Sequence, residues 1–318
     1  MKNYKPVDLN RIKSFSLKER KSKVTVKDFA NTCSSNSSFK DFLTSLPNIL
    51  AGKELRELVK DILRAHHRGK PVLWAMGAHV IKCGLSPIIN RLIREKVVNA
   101  IALNGAGAIH DVEIALVGET SEDVEKTLAI GKFGMTYETA EFINNALKEG
   151  AKRGWGAGKA IGYKLLKTKT PYKKFSILAN AAMHNIPATI HIAIGTDVVH
   201  MHPSTDGSTV GETSYKDFRI FSAIVCDLLD GGVFLNIGSA VILPEVFLKA
   251  LSIAMNLGYN LIELTTANFD FIEHYRPMQN IVKRPAKLGA RSYSFIGHHE
   301  ILIPLLAQAI VEEIKSEG

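Results

Sequence analysis

The chain has 318 residues, 46% of them hydrophobic and 22% charged, with a formal net charge of +9; this is ordinary globular composition, and it excludes disorder of the whole chain. No apolar run reaches the ~20 residues that span a bilayer, and the opening MKNYKPVDLNRIKSF lacks the apolar stretch of a secretory signal, so a soluble protein with the cytoplasm as its address is expected. The cysteines, Cys33, Cys83 and Cys226, lie far apart and form no C-x-x-C pair, which suggests neither a disulfide framework nor a thiolate zinc site.

Residues 1–38 read as a basic arm. Lys2, Lys5, Arg11, Lys13, Lys18, Arg20, Lys21, Lys23 and Lys27 face only Asp8, Glu19 and Asp28 there. No aromatic platform or helix-turn-helix spacing accompanies these charges, so a solvated tail or a subunit contact is the preferred reading, and nucleic-acid binding is not expected. The polar break Asn31 to Ser38 ends the arm, and residues 39–318 read as one domain.

Within that domain, helical periodicity runs through Lys53 to His66, followed by a buried strand at Pro71 to Met76, a helix at Pro87 to Glu95 and a strand at Val98 to Leu103. A helical middle at Tyr137 to Lys148 and Phe175 to His184 leads to strands at Ala188 to Ile194, Val233 to Ile237 and Leu261 to Thr265. Helices at Tyr215 to Leu229 and Pro244 to Leu257 separate these last three. Near-continuous Val/Ile/Leu/Ala strands alternating with helices indicate a doubly wound, mainly parallel α/β sheet of Rossmann-like type, with helices on both faces. Ligands of such sheets collect outside the carboxyl ends of the strands.

Two of those ends are small-residue turns, Gly77-Ala78-His79-Val80-Ile81-Lys82-Cys83-Gly84 and Asn104-Gly105-Ala106-Gly107-Ala108-Ile109-His110-Asp111. Glycine there lets backbone N–H groups approach a phosphate, although neither turn completes G-x-G-x-x-G and a tight turn without ligand serves as well. The run Gly154-Trp155-Gly156-Ala157-Gly158-Lys159 has Arg153 and Ala160 where a P-loop needs glycine and Ser/Thr, so it reads as a flexible or closely packed helix start. His200, His202, Asp206, His298 and His299 are types that could assemble a zinc or iron site on N/O donors. The competing reading is histidines satisfied by hydrogen bonds, and no metal is the expectation.

On these residues the sequence from Pro71 to the C-terminus resembles deoxyhypusine synthase, an NAD-dependent family that oxidises spermidine and passes its aminobutyl group, as an imine, to a lysine. The stretches Gly84 to Asn104 and Arg276-Pro277 to Pro304 run in register with that family. The resemblance implies NAD as cofactor, contacted by Ala78, His79, Val80, Ile81, Lys82, Asn104, Gly105 and Ala106. It also implies contacts from Asp206 in Thr205-Asp206-Gly207-Ser208, from Thr266-Ala267, and from His298-His299. Asn236 falls where a histidine contacts the amine, and His110 stands where the family has a glutamate. Glu212 approximately supplies another carboxylate. Pro285 occupies the place of the nucleophilic lysine, with Lys283 and Lys287 two residues to either side, so deoxyhypusine itself is not the expected product. The family further implies a homo-oligomer, a tetramer with sites at subunit contacts.

Ala108 to Glu113 also resembles a segment in the NAD-binding domain of archaeal-type ornithine cyclodeaminases, a relative that His110 fits better. The expected function is therefore an NAD-dependent enzyme that acts on a small amine or amino acid through a transient imine. His110 or His298 would be general base, and Lys82 or Lys283 would orient an anion or form the covalent imine. The alternatives are a cyclodeaminase-like enzyme, a metal-dependent hydrolase built on His200, His202 and His298, and a non-catalytic NAD-binding regulator.

Overall fold

The computed structural model describes residues 2–317. Its helices are α1 Phe39–Ser45, α2 Leu50–His67, α3 His79–Lys82, α4 Ser86–Arg94, α5 Gly105–Val117, α6 Val124–Ala129, α7 Tyr137–Lys152, α8 Ala157–Lys167, α9 Ile177–Met183, α10 Gly207–Leu228, α11 Ile242–Asn256, α12 Tyr275–Pro277, α13 Arg284–Lys287 and α14 His299–Glu317. A π-helical stretch, Met278–Lys283, joins α12 to α13. The strands are β1 Val72–Met76, β2 Ala100–Asn104, β3 Ala188–His191, β4 Asp230–Ile237, β5 Glu263–Asp270 and β6 Arg291–Ile296.

All six strands form one sheet in the order β3-β2-β1-β4-β5-β6, and every neighbouring pair is parallel. The strand period of two sorts β1 between two cores. Val72, Trp74 and Met76 face a layer that includes residues of α2, α4, α5, α7, α8, α9 and α14, while Leu73 and Ala75 face α10 and α11. The second core centres on Phe234 stacked on Phe247 at 4.1 Å between ring centroids; burying each such ring stabilises the fold by ~1.5–3 kcal/mol. The Rossmann-like, doubly wound architecture expected from the strand pattern is the one observed.

Differences from the expected elements have local causes. Strand β5 runs from Glu263 to Asp270 rather than ending at Thr265, because its polar side chains are tied sideways: Thr265 donates to Asp61, Thr266 pairs with Ser292, and Asn236 of β4 donates to Asn268. Strand β6 alternates polar and apolar residues as an edge strand does, so a search for unbroken apolar runs passes over it. Helix α10 begins two turns before Tyr215, where Asp206 caps it.

Ahead of α1 the chain makes three short 3₁₀ turns, and Tyr4, Val7, Leu9, Ile12, Phe15 and Leu17 lie exposed along it. Backbone bonds from Asn31 to Ser45 and from Asn48 to Asp28 tether it to α1 and the following turn. Among the described residues no helix is long and apolar enough to cross a membrane.

Candidate active site at the carboxyl edge of the sheet

Strand order reverses between β1 and β4, and the turns leaving these two strands define the crevice where open α/β sheets bind ligands. They approach closely. A Cβ on Gly77 would come within 2.1 Å of the Gly238 carbonyl oxygen, so only glycine fits there. Beneath Gly238 lies His299, buried, its Nε2 3.2 Å from the Phe269 carbonyl and its Nδ1 left as an unpaired buried acceptor. The ring of His79, on the exposed side of α3, meets the edge of His299 at 5.5 Å.

Next to this crevice, on the β2 side, is a cavity of about 240 Å³ lined by residues that include Lys82, Ala106, His110, Glu113, Glu122 and Asp197. Helix α5 supplies three of these. Asn104 caps α5 by accepting from the Gly107 N–H at 2.9 Å, and residues three apart on the helix then share one face, which brings His110 over Glu113. Thr120 donates its hydroxyl proton to Glu113 Oε2 at 2.5 Å and lies 2.5 Å from His110 Nδ1. A hydroxyl has one proton to give, so His110 Nδ1 must donate to Thr120. That fixes the tautomer and leaves Nε2 as the ring's free acceptor. Burial would raise the Glu113 carboxyl, but hydrogen bonds from His110, Thr120 and Thr139 together hold it below its ordinary value.

Asp197 comes from the loop after β3. Burial pushes its carboxyl up to about 6, with no cation paired to it among the described residues to offset the loss of water. Its Oδ2 sits 1.8 Å from where a Cβ on Gly105 would be, so the missing side chain at the start of α5 is what admits this carboxylate. His200 Nδ1 accepts from the backbone N–H groups of Gly195 and Asp197, which holds the loop in shape.

The other residues singled out in the sequence are placed as follows. Ala78 lies partly exposed in the Gly77 turn, but Val80 and Ile81 turn inward to the core, so only their neighbours His79 and Lys82 reach the surface. Thr266 and Ala267 are buried four and three residues short of the end of β5, and the Thr266 hydroxyl donates to the Ile281 carbonyl at 2.5 Å. Asn236 is likewise buried and bonds Ser239 and Asn268. The Asp206 carboxylate accepts from Ser208 and Thr209 as the cap of α10, and Glu212 lies exposed on that helix.

The helical stretch 275–287 runs back toward the start of β6. This carries Lys283, Pro285 and Lys287 to the amino end of the sheet, the end opposite the cavity, where Ala290 bonds the Pro285 carbonyl just before Arg291 pairs with Thr265. Lys283 is therefore not brought to the site. His298 is exposed beside Glu300 at 3.7 Å, whereas His202 pairs with Ser204 and His200 with its own loop. The His200, His202 and His298 set does not assemble. The glycine-rich run at 154–159 is a closely packed helix start: Asp217, buried and pushed up to about 7 by burial, accepts from Gly158, and a Cβ on Gly156 would sit 1.7 Å from its other oxygen.

Sequence reasoning gathered Lys82, Ala106 and His110 but passed over Glu113, Thr120, Glu122 and Asp197. The three-residue spacing of His110 and Glu113 on a capped helix was a readable signal. Asp197 had none nearby, since it reaches the cavity from a different strand.

No protein-family model and no curated protein matches the chain. Solved structures do resemble it. A conserved Methanococcus maripaludis S2 protein assigned to the LOR/SDH group is 17% identical with a TM-score of 0.51, over 82% of this chain and 70% of its own. AgrE, solved in a ternary complex with ornithine and NAD+, is 16% identical with a TM-score of 0.52 over 84% of this chain. The chain spans about a third of AgrE's length, 34%. An Entamoeba histolytica protein assigned as a deoxyhypusine synthase is 9% identical over 87% of this chain and 94% of its own, with a TM-score of 0.49. The likeness is one of fold.

Proposed function

We propose that the chain is an NAD-dependent enzyme acting at the amine-bearing carbon of a small cationic amine or amino acid. The observation that carries this reading is the joining, at one edge of one parallel sheet, of a glycine-walled crevice and a cavity whose wall holds the Glu113, Glu122 and Asp197 carboxylates. The crevice fits a dinucleotide. Gly77 lets the β1 turn close on the Gly238 carbonyl, Ala78, His79 and the Gly238 turn would flank the dinucleotide, and His299 offers a buried acceptor there. AgrE's complex with NAD+ and ornithine on a similar fold supports the same reading. When bound, NAD supplies reversible hydride acceptance.

The chain's own residues then have definite tasks. Asp197 and Glu122 attract the ammonium group, and Asp197, short of a cation in the free protein, gains one when the amine arrives. His110 Nε2 takes or returns the amine proton, with Nδ1 held by Thr120 and Glu113 so that the free nitrogen faces its task. Lys82 pairs with an anionic group of the substrate or the cofactor. Because Pro285 and Lys283 lie at the far end of the sheet, transfer of an aminobutyl group through a lysine at that position is not part of this reading.

The test is to incubate the protein with NAD and a panel of diamines, ornithine and arginine, and to follow consumption by mass spectrometry, with borohydride added to trap any lysine adduct. Turnover of an amine, with no adduct on Lys283 or Lys287, is expected. An aminobutyl adduct on either lysine would overturn the placement of the chemistry. NAD binding without turnover of any amine would replace the enzyme by a regulator.

A further inference from the structure

Outside the cavity, three side chains of different donor chemistry converge at the turn that follows β1. His79 and Cys83 are four residues apart, at the start of α3 and at its C-cap, so they project to the same side. His79 Nε2 lies 3.2 Å from Cys83 Sγ. Glu300, from the first turn of α14, closes the group, and one ligand atom from each of the three lies within 4.8 Å of the others. Among the described residues this is the group of histidine, cysteine and carboxylate that meets that spacing.

We propose that His79, Cys83 and Glu300 form a binding site for a divalent transition-metal ion of zinc type. Imidazole, thiolate and carboxylate together suit a borderline ion, whereas calcium and magnesium require oxygen ligands. Tetrahedral zinc with bonds of about 2.0–2.3 Å sets its donors roughly 3.3–3.8 Å apart, so the group needs only a small contraction to close on an ion. Three protein ligands leave a fourth position. His298, whose Nδ1 is 3.7 Å from Glu300 and whose side chain is 72% exposed, is free to swing into it, and water is the alternative.

A catalytic cysteine dyad is the competing use of the same residues, and the geometry argues against it. In a nucleophilic triad the acid orients the histidine, whereas here burial and then the nearby Glu300 carboxylate push the Cys83 thiol up, the reverse of activation. A cation placed among the three relieves that repulsion. The remaining charged or titratable groups facing the site are Lys82, which opposes a cation, Asp270, which favours it, and His299, whose ring packs on His79.

Ligation exchanges the cysteine S–H proton for the metal and releases that proton to solvent, so affinity rises with pH. An ion held this way pins the start of α14 to the turn that carries Gly77 and Ala78. The site thus braces the β1 side of the proposed nucleotide crevice against α14, although it stands without that proposal.

The experiment uses the full chain stripped with a chelator and titrated with Co(II), then with Zn(II) in competition. One equivalent of Co(II) should bind with a thiolate-to-cobalt charge-transfer band, and Zn(II) should displace it. Cys83→Ala should abolish the band and weaken binding by on the order of a hundredfold. Glu300→Gln should weaken binding while keeping the band. Circular dichroism of both variants checks that they fold, which is expected because Glu300 is exposed and Cys83 is only partly buried at the edge of the core. Absence of the band, its persistence in Cys83→Ala, or its loss in Cys33→Ala instead would overturn the proposal.

Discussion

The two ends of the sheet are both rich in ionisable groups and treat them in opposite ways. At the amino end, Asp61 and Glu263 are matched by Arg64, Arg68 and Arg291 at 2.6–3.1 Å, and the Tyr293 hydroxyl donates to Asp61. Each of these charges has a partner within the chain. At the carboxyl end, Asp197 is buried with no such cation among the described residues, His110 is held in one tautomer with a free nitrogen, and His299 keeps an unpaired acceptor. Pairing of charge describes a structural lock, whereas the unmatched groups at the carboxyl end are the ones that the proposed function assigns to a ligand.

The largest effect that would sharpen this contrast is expected at His110. His110→Ala should lower kcat by about 10²–10⁴-fold, the usual worth of a positioned general base, while urea midpoints stay close to wild type. A variant with undiminished turnover would remove the histidine from the chemistry. Thr120→Val should act in the same direction and more weakly, since it leaves the imidazole but frees its orientation.

Gly105→Ala comes next. The added methyl would press on the Asp197 carboxylate from 1.8 Å, and overpacking of this kind costs ~1–3 kcal/mol. Denaturation should show that loss together with weakened ligand binding, because both Asp197 and the start of α5 must move. Equal stability and equal binding would mean that the close approach does not constrain the site.

Asp197→Asn is expected to stabilise the protein in a pH-dependent way. The folded carboxyl is raised from 3.8 to about 6 by burial, so the favourable contribution of Asp197 is complete below pH 3.8 and is lost as pH rises through about 6. The variant should therefore gain on the order of 1–3 kcal/mol over wild type at pH 8 and nothing at pH 4. It should bind the cationic substrate less well at the same time, a trade of function for stability. Urea melts at three pH values would decide.

The smallest effect belongs to the paired end. The Glu263 carboxyl is lowered to about 2 by hydrogen bonds from Arg291 and Arg68, so its contribution is present above pH 4.5 and lost as pH falls toward 2. The arginines are half exposed, and solvent screening limits the gain. Glu263→Gln should cost about 1 kcal/mol at neutral pH and leave ligand affinity unchanged. Loss of ligand binding in this variant would break the division between the two ends.

How much of this was legible in the sequence depended on whether a residue's neighbours lie along the chain or across the sheet. Strands β1, β2 and β4 announce themselves as apolar runs because both of their faces are covered. The polar residues of β5 are satisfied by β4, β6 and Asp61, and such sideways bonds leave no local trace. The same limit explains the site. Thr266 and Ala267 were singled out by resemblance alone, and in the fold they lie buried within β5, which continues to Asp270. Lys283 stood near Pro285 in sequence, but the helix carries both away from the carboxyl edge. Asp206 lies in a motif and caps α10 in the fold; His110 and Lys82 line one cavity because few residues separate them from the ends of β2 and β1.

The central claim, that the Gly77 crevice is built for a dinucleotide, is tested most directly by calorimetric titration of NAD into the wild-type chain and into Gly77→Val. The wild type should bind one equivalent of NAD, and the variant, whose Cβ would strike the Gly238 carbonyl at 2.1 Å and force the two turns apart, should lose that binding and melt at a lower temperature but still cooperatively. No heat of binding in the wild type, or unchanged binding in a folded Gly77→Val, would contradict it.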